Sequence, residues 1–237
     1  SPSNDVRIPR RASAADRPYG VAGQKVVKVE TLDASTKLVS PTTGGPYPLI
    51  IASHGWSASG DNQVGWAKHF ASYGFVVAVP SFPSPFTPDT EANSDIIVGL
   101  ANSLRAAASA TAHNVLATSK VGLEGHSAGG LATTVAASKL GPANVGAVVL
   151  FDPVDKDDAG KAAYAKLCTP LLGVFAEGSS CNNDAGWKVF ATTSSAELIG
   201  FNVVGSTHCD GENAARDLCG LACGSGSGGA FRRSPAR

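Results

Sequence analysis

Short apolar runs alternate with longer segments of helical period through most of the chain. The apolar runs lie at residues 48–53, 75–79, 120–124, 145–151, 170–176 and 197–204, and a weaker alternating run lies at 26–31. The helical segments lie between or after them, at residues 61–73, 93–112, 128–139, 186–192 and 212–218. Continuous apolar strands separated by helices indicate a parallel sheet with helices on both faces. The pattern predicts a doubly wound, mostly parallel α/β fold with an edge strand at residues 26–31.

The two ends of the chain lack this periodicity. Residues 1–23 are rich in Ser, Pro, Arg and Ala, which predicts a loose arm, and the Gly/Ser-rich residues 224–237 predict a flexible tail. The α/β domain is therefore expected at residues 24–223. Too few residues separate the runs 145–151 and 170–176 to form a helical cap domain, so we expect an open cleft above the sheet.

Charge and hydropathy argue against two classes of partner. Lys and Arg together number 19, as do Asp and Glu, so the chain has no net charge. A nucleic-acid-binding protein needs a basic surface, and a transmembrane helix needs about 20 consecutive apolar residues. We expect a monomeric globular protein that neither binds nucleic acid nor crosses a membrane.

A G-x-S-x-G motif follows one of the predicted strands. The run 120–124 leads directly into Gly125, Ser127 and Gly129, and a predicted helix begins there. In a strand–turn–helix context the serine sits on a strained turn, and the two glycines let the helix pack close to the strand. The motif therefore predicts that Ser127 is a nucleophile whose hydroxyl is pushed out above the carboxyl edge of the sheet.

A serine nucleophile needs a general base, and histidine is the usual one. Among the five histidines, only His208 follows Ser127 at a distance, in the loop after the last predicted strand. The others precede the serine or adjoin it: His54, His69, His113 and His126. In α/β-hydrolases the order along the chain is Ser, then Asp or Glu, then His. His208 is therefore the predicted base.

The acid that orients the histidine is expected between the serine and the histidine, at the end of a strand. Asp152 directly follows the run 145–151, Glu177 follows the run 170–176, and Asp184 lies seven residues further on. Pro153 would fix the backbone after Asp152, which favours that residue. Glu177 and Asp184 remain alternatives on these grounds.

Two backbone N–H groups are needed to bind the oxyanion of a tetrahedral intermediate. One is expected from Ala128, the residue after the nucleophile, and the other from the loop after the strand at 48–53. Gly55 permits a tight turn in that loop, so the N–H of Trp56 is the expected second donor. Apolar side chains in loops after the strands are expected to line the substrate cleft: Trp56, Phe82, Phe86, Val154 and Trp187.

Five cysteines lie in the last third of the chain, and none has the spacing of a zinc site. We expect two disulfides and one free thiol, and hence a secreted protein or one from another oxidising compartment. Cys209 is expected to pair with Cys219 or Cys223, since a loop of that size closes easily. Cys168 is expected to pair with Cys181 across the loop at a strand end. Neither a metal ion nor another cofactor is expected.

Several segments resemble the chlorophyllase-like branch of the α/β-hydrolases. They are SHGW, GWAKHFASYGFVVAVPSF, GHSAGG, FDPVD and THCD, and the resemblance runs over residues 48–217. In chlorophyllases the acid of the triad lies in the DPV segment, which implies Asp152 here. Platelet-activating-factor acetylhydrolases are similar in placing their acid at the end of the same strand. Bacterial cutinases and polyester hydrolases resemble the SHGW, GFVV and GHSAGG segments, but they usually carry the acid after the next strand, where this chain reads AEGSS.

The resemblance implies an α/β-hydrolase fold and a serine carboxylic-ester hydrolase that acts on a hydrophobic ester through the triad Ser127, Asp152 and His208. Plant chlorophyllases carry an arginine where Ala128 stands, so a polymeric polyester or a small, short-chain ester is an alternative substrate. Two rivals rest on the residues alone. The same triad serves peptidases and thioesterases, and a catalytically inactive hydrolase fold can act as a binding module.

Overall fold

The computed structural model describes residues 19–182, 197–212, 219 and 223. Within these residues eight strands form one sheet, and five α-helices pack against it. The strands are β1 Val27–Thr31, β2 Thr36–Pro41, β3 Leu49–Ser53, β4 Val76–Pro80, β5 Val121–His126, β6 Val145–Phe151, β7 Leu171–Phe175 and β8 Leu198–Asn202. The helices are α1 Val64–Ser72, α2 Thr90–Arg105, α3 Ala107–Ala112, α4 Ser127–Leu140 and α5 Ala159–Tyr164.

The strand order in the sheet is β1-β2-β4-β3-β5-β6-β7-β8. The pairs β1/β2 and β2/β4 are antiparallel, and every other pair is parallel. This mixed sheet with helices on both faces confirms the predicted α/β-hydrolase fold. The sequence analysis missed β2, because only Leu38 and Val39 are strongly apolar in a strand that is otherwise polar yet mostly buried.

The two faces of the sheet hold separate apolar clusters, as alternation along the strands requires. On one face, Ile50, Ala52 and Val77 pack against α1. On the other face, Ile51 and Ala78 belong to the larger cluster beneath α2 and α4. Helix α4 is buried along nearly its whole length and carries mostly small side chains, so it approaches β5 closely. Its first residue is thereby held at the carboxyl edge of the sheet.

The helices predicted at residues 61–73, 93–112 and 128–139 are present as α1, as α2 with α3, and as α4, and they differ in detail. The helix predicted at 93–112 begins at Thr90, where the Asp89 side chain accepts the Ala92 N–H at 3.0 Å, and it breaks at the extended residue Ala106 into α2 and α3. Between β6 and β7 the chain forms only the short helix α5, so no cap domain is inserted there. Residues 1–18 of the predicted arm lie outside the described residues, as do the predicted tail and, apart from Glu212, the helices predicted at 186–192 and 212–218.

The disulfides differ from the prediction in one pair. Cys209 bonds to Cys219, one of the two expected partners, but Cys181 bonds to Cys223, and Cys168 is an exposed free thiol. The predicted Cys168–Cys181 bond is wrong because these residues flank β7 at opposite ends. Five residues of strand at about 3.3 Å each separate them, and a disulfide needs Cα atoms within about 7 Å. The two disulfides point to an oxidising compartment.

Candidate active site

The turn between β5 and α4 carries the predicted nucleophile. Ser127 has a φ of 53°, in the left-handed region that residues other than glycine seldom adopt. A Cβ on Gly125 would lie 2.5 Å from Thr133 Oγ1, and one on Gly129 would collide with the His54 carbonyl oxygen. Only glycine therefore fits on either side of the serine, and the close packing explains how the strained turn is held.

Three predicted residues meet at the carboxyl edge of the sheet. The Ser127 hydroxyl lies 2.8 Å from His208 Nε2, and His208 Nδ1 lies 2.6 Å from Asp152 Oδ2. All three side chains are buried. The serine comes from the start of α4, the aspartate from the residue after β6, and the histidine from a 3₁₀ turn, His208–Gly211, after β8. Residues far apart along the chain thus form one unbroken hydrogen-bonded path.

The Asp152 carboxylate is held by more than the histidine. Its Oδ1 accepts the Ala176 N–H at 3.1 Å, and its Oδ2 also accepts the Asn182 side-chain amide at 2.7 Å. Burial by itself raises the pKa of Asp152, but the bonds from His208, Asn182 and Ala176 outweigh it and lower that pKa. The carboxylate is therefore charged at neutral pH. The sequence analysis missed Asn182, because its approach to Asp152 depends on the loop after the neighbouring strand.

Neither of the two alternative acids is seen to contact His208 in the described residues. Glu177 is exposed, and its carboxylate accepts the Gly205 backbone N–H at 2.8 Å. That carboxylate is thus engaged at the surface, and the nitrogen of His208 that faces an acid is occupied by Asp152. Asp184 lies outside the described residues.

The surroundings of His208 keep its ring neutral, as a general base requires. Burial lowers its pKa, and the bond to Asp152 raises the pKa by less, so the net pKa of His208 lies below its ordinary value. At neutral pH the ring is therefore uncharged. With its Nδ1–H donated to Asp152, the free electron pair on Nε2 faces the Ser127 hydroxyl. This tautomer is the one that can accept a proton from the serine.

The two predicted oxyanion donors lie in fixed peptide units. Ala128 is in the first turn of α4, where N–H groups have no partner within the helix. The Gly55 carbonyl accepts the His54 Nδ1–H at 2.8 Å, and His54 Nε2 accepts the Phe82 N–H at 2.9 Å. Because a trans peptide points its C=O and N–H in opposite directions, the Trp56 N–H faces away from His54. Burial lowers the pKa of His54, which keeps this neutral tautomer.

A second buried network lies behind the serine, and sequence reasoning did not find it. The Glu212 carboxylate accepts the Gly55 N–H at 2.7 Å and the His126 Nδ1–H at 2.9 Å. The other ring nitrogen of His126 lies 2.7 Å from the His208 carbonyl oxygen. The sequence does place acidic residues shortly after the predicted base. Nothing in their spacing, however, indicates that Glu212 contacts His126, which lies 86 positions earlier in the chain.

The cleft in front of the serine has a volume of about 390 Å³. Its walls come from several loops and from both disulfides: Trp56, Pro88, His126, Ser127, Ala128, Val154, Asp155, Lys156, Cys181, His208, Cys219 and Cys223. Trp56 and Val154 line it as predicted. Phe82 instead lies buried beneath the loop, against the His54 ring at 4.9 Å, and Phe86 stands outside the cleft with its ring edge-on to Trp56. Trp187 lies outside the described residues.

Within the described part of the chain, one group of side chains is close enough together to hold a metal ion. It consists of Cys209, Cys219 and Cys223, which are all in disulfides. No helix among the described residues has both the length and the apolar character to cross a membrane.

The family model described as Chlorophyllase matches residues 19–182. The match runs from before β1 to the loop after β7, so it includes Ser127 and Asp152 and ends before His208. No curated protein matches the chain. The family match covers well over half of the sequence and includes the strand–turn–helix unit at the centre of the site. The chain therefore belongs to the chlorophyllase family, which implies a hydrolase that acts on esters.

Proposed function

We propose that the protein is a serine carboxylic-ester hydrolase in which Ser127, His208 and Asp152 form the catalytic triad. The observation that carries the proposal is the continuous path of 2.8 Å and 2.6 Å contacts from the serine hydroxyl to the aspartate. The path lies at the carboxyl edge of a mostly parallel sheet, where active sites of such folds are found.

The proposed reaction has two stages. Ser127 Oγ attacks the ester carbonyl while His208 Nε2 takes its proton, and Asp152 stabilises the imidazolium that forms. The oxyanion accepts hydrogen bonds from the backbone N–H groups of Trp56 and Ala128. When the intermediate collapses, the C–O bond breaks and His208 gives its proton to the leaving alcohol. A water molecule then attacks the acyl carbon while the same histidine takes its proton, the bond to Ser127 Oγ breaks, and the histidine returns the proton to that oxygen as the acid leaves.

The walls of the cleft favour a hydrophobic ester. Trp56, Val154 and Pro88 offer apolar surface beside the serine, and the disulfide sulfurs extend it. The volume falls near the lower end of the range for small-molecule sites, so one arm of the substrate fits inside. Without a cap between β6 and β7, the rest of the substrate extends into solvent. This arrangement suits an ester of a bulky pigment as well as a polyester chain.

Burst kinetics test the reaction class. Mixing the protein with a p-nitrophenyl ester should release about one nitrophenol per active site before steady turnover, because an acyl-enzyme accumulates. A fluorophosphonate should block the burst and label Ser127. A catalytically inactive hydrolase fold would show neither result. A panel of short-chain esters, a polyester film, chlorophyll, a thioester and a peptide then ranks the substrates against the two enzymatic rivals.

We propose that the protein is secreted into an oxidising environment. Four of the five cysteines are in disulfides that border the cleft. Such bonds persist outside the reducing cytosol. Fractionation of the source cells should find the protein outside the cytosol, and recovery only from the cytosol with five free thiols would contradict this proposal.

A further inference from the structure

We propose that Glu212 and His126 form a positioning pair that sets the oxyanion loop, residues 54–57, and the backbone of His208. The inference rests on the proposed function, since it assigns a task within the same reaction. Neither side chain takes part in the proton path from Ser127 to Asp152. Both are almost completely buried, Glu212 being 2% exposed and His126 1%.

The Glu212 carboxylate collects donors from three parts of the chain. Its Oε1 accepts the Gly55 N–H at 2.7 Å and the His126 Nδ1–H at 2.9 Å, and its Oε2 accepts the Asn62 side-chain amide at 3.0 Å. The three donors belong to the oxyanion loop, the end of β5 and the turn before α1. One carboxylate thus joins three loops that surround the nucleophile.

The bond to Gly55 acts directly on the oxyanion loop. Glu212 holds the peptide unit between His54 and Gly55 through its N–H, and the His54 ring holds the next unit through the Gly55 carbonyl. With two consecutive peptide units held, the direction of the Trp56 N–H is set. A donor aimed in advance stabilises the oxyanion without reorganisation during the reaction. Glu212 therefore contributes to the aim of a group that it does not touch.

His126 transmits the same restraint to the base. Its two ring nitrogens face two acceptors, the Glu212 carboxylate and the His208 carbonyl oxygen, at 2.9 Å and 2.7 Å. Both bonds form only if both nitrogens carry a proton, so the ring is an imidazolium. Its positive charge neutralises the buried carboxylate, whose negative charge would otherwise oppose an oxyanion nearby.

The surrounding groups favour this charged pair. Burial lowers the pKa of His126, but the charge and hydrogen bond of Glu212 outweigh it and raise that pKa. Burial raises the pKa of Glu212, yet His126 brings it down to about 2. The other titratable groups that act on the pair are His54, His208, Asp152 and Glu124. His54 and His208 have lowered pKa values, so both are neutral at pH 7, and burial raises the pKa of Glu124 well above its ordinary value.

Packing leaves the pair no alternative position. A Cβ on Gly55 would lie 2.8 Å from His126 Nδ1, and a Cβ on Gly211 would lie 2.5 Å from His126 Cδ2. The imidazole is thus enclosed between two backbone segments that only glycine allows to approach so closely. Small changes at the pair are therefore passed to both segments rather than absorbed.

The decisive variant is Glu212→Gln, which keeps the shape and removes the charge. We expect kcat for a p-nitrophenyl ester to fall about 10- to 100-fold, less than the 10²- to 10³-fold loss of a whole oxyanion donor. We expect KM to stay within about threefold, because the cleft walls are unchanged. A boronic acid, which forms a tetrahedral adduct with Ser127, should bind more weakly by the same factor. The matched control is Glu177→Gln, an exposed carboxylate that also accepts a loop N–H, and it should keep wild-type kinetics.

A measurement on the wild-type protein guards against a variant that fails to fold. Nitrogen NMR should show that His126 keeps a proton on both ring nitrogens to a higher pH than an ordinary histidine does. Titration of His126 near its ordinary pKa would overturn the inference. So would a folded Glu212→Gln protein whose kcat lies within threefold of wild type. If instead the wild-type protein neither hydrolyses esters nor reacts with a fluorophosphonate, the proposed function fails, and the two failures are distinguished.

Discussion

The serine and the histidine of the site are held in place by different means. Ser127 lies at the junction of a central strand and a buried helix, and close backbone packing around two glycines fixes its turn. His208 lies in a short 3₁₀ turn after β8, an edge strand whose residues are mostly exposed. Among the described residues, that turn contributes no side chain to the two apolar clusters, and it is held by the Cys209–Cys219 bond and by polar contacts.

The two halves of the site would lose their geometry in different ways. The serine side is part of the apolar core, so it is lost only when the core is lost. The histidine side depends on a few cross-links that chemistry can remove one at a time. Cys209 directly follows His208, and Cys181 directly precedes the Asn182 that binds Asp152. One disulfide therefore lies next to His208 in the chain, and the other lies next to Asn182, which holds Asp152.

The largest expected effect comes from the serine side. Ser127→Ala should reduce kcat by about 10⁶-fold, since the nucleophile is removed, while the melting temperature stays close to that of the wild type. Steady-state assays of ester hydrolysis and thermal unfolding check this. Retention of more than a tenth of the activity, once contaminating esterase is excluded, would show that another group attacks the ester.

The next effect concerns the acid. Asp152→Asn should cost about 10⁴-fold in kcat, because the wrong tautomer of His208 is then favoured. Glu177→Gln and Asp184→Asn serve as matched controls and should remain within a few-fold of wild type. A crippling loss in either control, with Asp152→Asn still active, would move the acid to the loop after β7.

Reduction tests the dependence of the histidine side on cross-links. In the chain-entropy model the Cys209–Cys219 loop is worth about 3 kcal/mol and the longer Cys181–Cys223 loop about 4 kcal/mol. We expect a reductant to lower the melting temperature and to reduce activity at least tenfold before far-ultraviolet circular dichroism changes. Peptide mapping without reductant should recover both bonds and a free Cys168. Five free thiols, or a Cys168–Cys181 peptide, would contradict the arrangement.

The smallest expected effect is a shift in the pH profile. His208 must be neutral to accept a proton, and its pKa is lowered, chiefly by burial. As pH falls, kcat/KM should therefore persist below 6.5 and decline only through the lowered value. The pKa values of Asp152 and Glu212 are also lowered, so their contributions to stability are present above the ordinary carboxyl values and fade at more acidic pH still. An acid midpoint above 6.5 in kcat/KM, with the fold intact, would contradict the environment assigned to His208.

The sequence predicted what depends on local pattern. The apolar runs located all six strands of the parallel part of the sheet, and the weaker alternating run located the edge strand β1. The G-x-S-x-G motif located the turn at Ser127. The prediction failed where distant segments meet. The Glu212 to Gly55 bond spans 157 positions and leaves no periodic trace. Cys168 and Cys181 lie at opposite ends of β7, so Cys181 bonds to the distant Cys223, whereas proximity along the chain favoured Cys168 as its partner.

The free thiol of Cys168 offers a practical handle. It is exposed and lies before β7, at the end of the sheet opposite the cleft. The other four cysteines are in disulfides, so a maleimide should react at this one position. Protein tethered to a bead through Cys168 would turn its open cleft away from the support. Such an oriented preparation could work on an insoluble film or particle, where randomly attached molecules would have many of their clefts pressed against the bead.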